Sequence, residues 1–164
     1  MTGVEIRRER THTWEDPAGM AAAAGLDGMA VFAKLLAGEL PAPPILSLLG
    51  FELDSFAEGR AAFTLTPGEH HYNPLGTVHG GVYATLLDSA MGCAVHTTLP
   101  AGVGYTSMDL DVRFLRPMTA TTGTVTATGW VVSAGRRTAL ARAELRNSAD
   151  TLLADASSTC LLLR

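Results

Sequence analysis

Apolar and polar positions change their period several times along the chain, and each change marks an element. Residues 51–56 begin in strand-like pattern, Glu58-Gly59 signals a hairpin turn, and residues 60–66 return as a second strand before Pro67 and Gly68 end it. From Gly80 the pattern becomes almost continuously apolar to about Thr97, too long for a strand and suited to a buried helix, and Leu99-Pro100-Ala101-Gly102 closes it. Four more strand-like runs follow, at 105–115, 122–133, 138–146 and 151–163. In the first, Asp109, Asp111 and Arg113 fall on one side and Leu110, Val112 and Phe114 on the other; in the third, Ala139, Ala141, Ala143 and Leu145 oppose Leu140, Arg142, Glu144 and Arg146. Gly135 and Asn147-Ser148-Ala149-Asp150 supply short turns, so pairing is expected to be mostly antiparallel. Two strands, one long helix and four strands make an α+β layered domain.

Before residue 44 the pattern is weaker. Residues 4–14 fit a short edge strand or a mobile arm. Residues 20–36 are rich in Ala, Leu and Met and favour helix, although Gly25 and Gly28 divide them into what reads as two short helices. Gly38 suits a cap, and Pro41, Pro43 and Pro44 prevent continuation. This segment is expected to pack on the main domain, with a lid over a substrate pocket as the alternative. Residues 45–49 read as an apolar turn leading to Gly50. The chain thus divides into an N-terminal arm and helical extension, 1–43, and a main domain, 44–164.

The chemistry concentrates at the start of the long helix. Asn73-Pro74-Leu75-Gly76-Thr77-Val78-His79-Gly80-Gly81 is a turn-forming loop that enters the helix, with Gly80 and Gly81 at the junction, where backbone can approach a ligand closely. The first amides of a helix lack intrahelical acceptors and sit at its positive dipole end, an apt place for an oxygen carrying negative charge. Asp88 is the only acid in the helix. On a helical wheel it shares a narrow stripe with Thr85, Ser89, Gly92 and His96, among otherwise apolar residues. A solvated face would carry several Lys or Glu, so Asp88 reads as a carboxylate in a mostly buried helix, costly unless paired or used.

Composition narrows the class. At 164 residues the chain makes one domain with a real core. Its 47% hydrophobic and 17% charged residues are apolar for a small monomer, and surface buried in a homo-oligomer is expected. A net charge of -4 gives no reason to propose nucleic acid. The two cysteines, Cys93 and Cys160, read as buried free thiols. No apolar run approaches the ~18 residues of a membrane span, and the N-terminus lacks the apolar core of a signal peptide, so no membrane association and a cytoplasmic location are expected. His70 and His71 lie without the spacing of a metal site, and no metal is expected.

The order Asn-x5-His-Gly-Gly from Asn73, with an Asp eight residues beyond Gly80 inside Leu86-Leu87-Asp88-Ser89-Ala90-Met91-Gly92, resembles the PaaI-like group of hotdog-fold acyl-CoA thioesterases, which includes phenylacetate-pathway enzymes and one branch of the 4-hydroxybenzoyl-CoA thioesterases. The resemblance extends from about residue 44 to the C-terminus. It implies a hotdog fold, a curved antiparallel six-stranded sheet wrapped around the central helix. It also implies hydrolysis of an aryl or medium-chain acyl-CoA to free acid and CoA, with no cofactor beyond the coenzyme A of the substrate. Thioester hydrolysis needs an oxyanion donor, met by the Gly80 amide, and a base or nucleophile, met by Asp88. Residues eight apart on a helix lie about 12 Å apart along its axis, so one chain cannot bring both to one carbonyl. In the family the two face each other across a dimer interface, and dimers often pair into tetramers.

The remaining candidates are carried by the same resemblance. Asn73 would position water or the leaving sulfur, or serve as a turn residue before proline. His79 could be a general acid but more often orients the loop. Ser107, counted back from Arg116-Pro117, falls where a hydroxyl assists the acid; strand parity, however, places it with Asp109 and Asp111 and gives Thr106 the opposite side, a conflict that a bulge or twist would settle. Arg136 and Arg137 match the position of contacts to the coenzyme A phosphates, with Arg113 and Arg116 as alternatives. Tyr83, Met91, Met108 and Leu35 could line the acyl pocket. Competing expectations are an acyl-thioester dehydratase or hydratase, a non-catalytic module that binds acyl-CoA, and a structural oligomerisation domain, which would leave Asp88 unexplained.

Overall fold

The computed structural model describes residues 7–164. Residues 7–16 carry no helix or strand, so the described part of the expected edge strand is absent, and the rest of that stretch lies outside the described residues. Side chains tie this segment down. Arg8 pairs with Glu69, and the Arg10 guanidinium donates to the carbonyls of Leu48 (2.6 Å) and Ser47 (3.3 Å). Those carbonyls end helix α2 (Pro44–Leu49), where a cation suits the negative dipole end. The expected turn at 45–49 is thus a short helix, closed by Gly50 at φ 75°, in the left-handed region that glycine adopts without strain.

The helical extension does divide in two. A 3₁₀ turn covers Pro17–Ala23, and α1 covers Gly28–Leu36, with the Asp27 carboxylate accepting from the Ala30 amide at 2.8 Å. α1 packs on the domain as expected. Val31 and Phe32 are buried, and the Gly28 amide donates to the Leu99 carbonyl at 3.0 Å. A Cβ at residue 28 would lie 1.8 Å from the His96 carbonyl oxygen, so only glycine permits this approach.

The central helix α3 spans Gly80–His96. The sheet comprises β1 (Phe51–Ala57), β2 (Arg60–Leu65), β3 (Gly104–Ser107), β4 (Asp111–Phe114), β5 (Val125–Ala134), β6 (Thr138–Asn147) and β7 (Leu152–Leu163). Its order is β1-β2-β5-β6-β7-β3, antiparallel throughout, with β4 also paired to β7. The helix packs against β1, β2, β3, β5, β6 and β7 and touches β4 through Phe114, and its Leu86, Leu87, Ala90, Met91, Ala94 and Val95 are wholly buried. β5 approaches closest. A Cβ at Gly129 would fall 2.3 Å from the backbone of Ala90, so helix and strand meet with no side chain between them.

Seven strands replace six because the run at 105–115 is broken. Ser107 pairs with Cys160 and Asp111 with Ser157, so four steps on one strand oppose three on β7, and one residue is inserted. Asp109 satisfies the ladder there. Its carbonyl accepts from Ser158 Oγ at 2.7 Å, and its Oδ1 accepts from the Thr159 amide at 2.8 Å. No described helix is long and apolar enough to cross a membrane.

Candidate active site

The loop before α3 is organised by Asn73. Its Oδ1 accepts from the amides of Leu75 (2.8 Å) and Thr77 (3.3 Å), and its Nδ2 donates to Thr77 Oγ1 (3.1 Å). This is the turn chemistry of an Asx residue. His79 is the N-cap of α3; its Nδ1 accepts from the Gly81 amide at 2.9 Å, and its carbonyl accepts from Val82. The ring therefore orients the loop, and its proton sits on Nε2. With Gly81 and Val82 satisfied, the Gly80 amide is the one among the first three left without a partner in the described chain. Phe114 stands over it, in edge-to-face contact with Tyr83, and a Cβ at residue 80 would meet the Phe114 ring at 3.1 Å. Asn73, Gly80, Tyr83, Phe114 and Arg116 line one recess of about 340 Å³.

Asp88 belongs to a different cavity. It stands half-buried at the wall of an apolar cleft of about 390 Å³, and its Oδ1 accepts from Ser107 Oγ at 2.9 Å. The inserted residue after β3 resolves the parity conflict: Ser107 pairs with buried Cys160, and Val112 with buried Ala156, so Ser107 shares a face with Val112 rather than with Asp111. The stripe of Thr85, Asp88, Ser89, Gly92 and His96 is half-buried or buried, as expected of a helix that is not solvated along that face.

The groups around Asp88 limit its chemistry. Burial pushes the Cys93 thiol up to about 12, and burial also raises Cys160, so neither supplies a thiolate. Tyr105 is raised well above its ordinary value by burial, reinforced by Cys93, Cys160 and Asp88, and stays protonated. Burial lowers His96, which contacts Phe32 edge-to-face and remains neutral at pH 7. His71 is structural: its Nδ1 accepts from the Gly68 amide and its Nε2 donates to the Leu49 carbonyl. Among the described residues no group of three or more His, Cys, Asp or Glu could hold a metal.

The arginines separate. Arg116 lines the Gly80 recess and donates to the Leu152 carbonyl at 2.7 Å. Arg113 instead bonds Asp155 and Asp111 on the outer side of the sheet. Arg136 and Arg137 lie in the β5–β6 turn, at the end of the sheet where α3 finishes rather than where it starts. Of the residues expected to line an acyl pocket, Leu35 borders the Asp88 cleft and Tyr83 the Gly80 recess, whereas Met91 is core and Met108 is exposed. Sequence reasoning missed Phe114, whose only signal was its parity with Leu110 and Val112. It also missed Asp109 at the bulge and the Phe32, Leu36 and Ile45 wall of the cleft.

Comparison with known proteins places this architecture. Residues 75–154 match the family model of the thioesterase superfamily. A Halobacterium salinarum protein, provisionally named an esterase, is 35% identical over 120 residues, 70% of this chain and 76% of that protein. Human acyl-coenzyme A thioesterase 13 is 32% identical over 98 residues, 59% of this chain and 68% of that protein. The Escherichia coli PaaI protein of the phenylacetic acid degradation operon superposes with a TM-score of 0.72 at 25% identity, covering 84% of this chain and 94% of that one. The chain therefore belongs to the thioesterase superfamily, as a thioester hydrolase of the PaaI-like hotdog type.

Proposed function

We propose that the protein hydrolyses aryl or medium-chain acyl-CoA thioesters in a site shared by two chains, Asp88 coming from one and the Gly80 amide from the other. The observation that carries this reading is the Asp88–Ser107 pair at the wall of an apolar cleft, while the unpartnered Gly80 amide opens into a separate recess. The carbonyl oxygen accepts from Gly80 N–H as charge develops on it. Asp88 either takes a proton from the attacking water or attacks the carbonyl itself. In the first route the tetrahedral adduct expels the CoA thiolate, which takes up the proton, and leaves the free acid. In the second, thiolate loss leaves a mixed anhydride that water then cleaves.

The edge of the sheet supports the shared site. β3 and β4 form it, and Met108, Leu110, Phe114 and Leu115 leave it apolar and exposed. Such an edge invites pairing with a second copy. A two-fold axis across an antiparallel pairing exchanges its ends, so the Ser107 end of one chain meets the Phe114 end of the other. That apposition brings Asp88 of one protomer toward the Gly80 recess of its partner. Arg116 is then the cation nearest the thioester, and Arg136 and Arg137 are the contacts proposed for the terminal phosphates of coenzyme A.

Release of CoA thiol from a panel of acyl-CoAs tests the reading. Asp88→Asn is expected to lower kcat about 10³-fold or more with fold and oligomer intact, the usual cost of losing a group that acts in the chemical step. Equal turnover by the variant would remove Asp88 from the mechanism. Tight binding with no turnover by the wild type would make the protein an acyl-CoA-binding module.

A further inference from the structure

The cleft beside Asp88 is built from two parts of the chain that lie far apart in sequence. One side comes from the helix and sheet, with Gly92, Cys93 and Tyr105 beyond the Asp88–Ser107 pair. The other comes wholly from the segment before the first strand, with Phe32, Leu35 and Leu36 of α1 and Ile45 and Leu46 of α2. That second wall is anchored. Phe32 is buried against His96 and Phe56, the Gly28 amide is bonded to Leu99, and the Arg10 guanidinium holds the end of α2. Among the described residues, the only charged one lining the cleft apart from Asp88 is Glu52, and no cation lines it.

Resting on the thioesterase reading, we infer that α1 and α2 form a fixed wall that selects the acyl group, and that the group admitted is apolar and uncharged. An acyl tail that passes Asp88 meets hydrocarbon side chains wherever it touches these two helices. A tail ending in a carboxylate would face Asp88 and Glu52 with no partner for its charge, at a cost that desolvation increases. The wall sets length because its backbone is anchored and Phe32 is buried in place, so a longer tail must displace that ring. α1 and α2 therefore act as specificity elements rather than as a lid.

The test uses the full-length chain with butanoyl-, decanoyl- and succinyl-CoA. Leu36→Trp and Ile45→Trp fill the cleft from its partly exposed side, and Leu35→Ala enlarges it. Affinities are measured by calorimetry in the Asp88→Asn background, and kcat/KM with Asp88 restored. The expected result is a fall of at least about tenfold in the decanoyl-to-butanoyl ratio for the tryptophan variants and a rise for Leu35→Ala, with succinyl-CoA the weakest ligand throughout. Ratios that stay within about twofold of the parent in all three variants, while turnover persists, would overturn the wall and leave the thioesterase reading intact. A kcat/KM for succinyl-CoA above those for butanoyl- and decanoyl-CoA, measured with Asp88 present, would overturn the charge argument. Wild-type inactivity would sink the thioesterase reading, and the binding ratios would still decide the wall.

Discussion

Asp88 and Ser107 form the smallest unit of the proposed chemistry. The hydroxyl donates to Oδ1 at 2.9 Å and so fixes the carboxylate, leaving Oδ2 to face water or substrate. A hydrogen bond to a charged group contributes about 1.5–3 kcal/mol, and about 1.4 kcal/mol is tenfold in rate. Ser107→Ala should lower kcat about 10- to 100-fold while leaving KM within about threefold, because Ser107 acts on the acid rather than on the acyl tail. Ser107→Thr, which keeps the hydroxyl, should retain most of the activity. Steady-state kinetics of the two variants checks this; a loss confined to KM would show that Ser107 contacts substrate instead. The pair was only half legible in the sequence. Asp88 stood out as a lone acid in an apolar helix. Ser107 fell on the wrong side, because alternation is counted on the assumption that no residue is inserted, and the inserted residue is accommodated by Asp109, whose bonds run to β7 some fifty positions away.

At the scale of elements, α3 carries both halves of the proposed site, and its placement depends on how closely β5 can approach. Gly129 permits that approach, since any Cβ there would strike the carbonyl of Ala90 and the amide of Met91, backbone atoms that cannot swing aside. Gly129→Val should therefore destabilise the protein by about 3 kcal/mol, as overpacking against a rigid backbone does. Urea unfolding followed by circular dichroism would register it as a lower midpoint with an unchanged slope, whereas an unaltered midpoint would mean that the helix can shift. The elements of the main domain were legible because their periods differ so sharply, two in the strands and near-continuous apolarity in α3. Helix α2 was not, since five residues between a proline and a glycine are too few to show a helical period. The role of α1 was not legible either: its packing followed from an amphipathic pattern, but the cleft it walls exists only once residues near 32, 63, 88 and 105 converge.

At the scale of the whole molecule, one chain holds the proposed carboxylate and the proposed oxyanion donor in two separate recesses. Asp88 and Ser107 border the apolar cleft, Gly80 and Asn73 border the other recess, and two helical turns separate the carboxylate from the amide. If two chains complete each other, defects in the two halves must complement. Gly80→Pro deletes the amide hydrogen at the first helical position, where proline is tolerated and where His79 already has the extended backbone that precedes proline; the new Cβ would press on Phe114, at a partly exposed edge, which must give way. Mixed after denaturation and refolding, inactive Asp88→Asn and Gly80→Pro chains pair at random, and half of the dimers are hybrid. Each hybrid holds one site with both groups intact and one with both lost. Activity should return to about a quarter of wild type, the value set by random pairing of two-fold dimers. A site contained within one chain would give no activity above that of the separate variants, because every chain would then lack either its carboxylate or its amide hydrogen. Recovery near a quarter would also make dimerisation a condition of catalysis, so that dilution below the dimer dissociation constant would abolish turnover in the wild type.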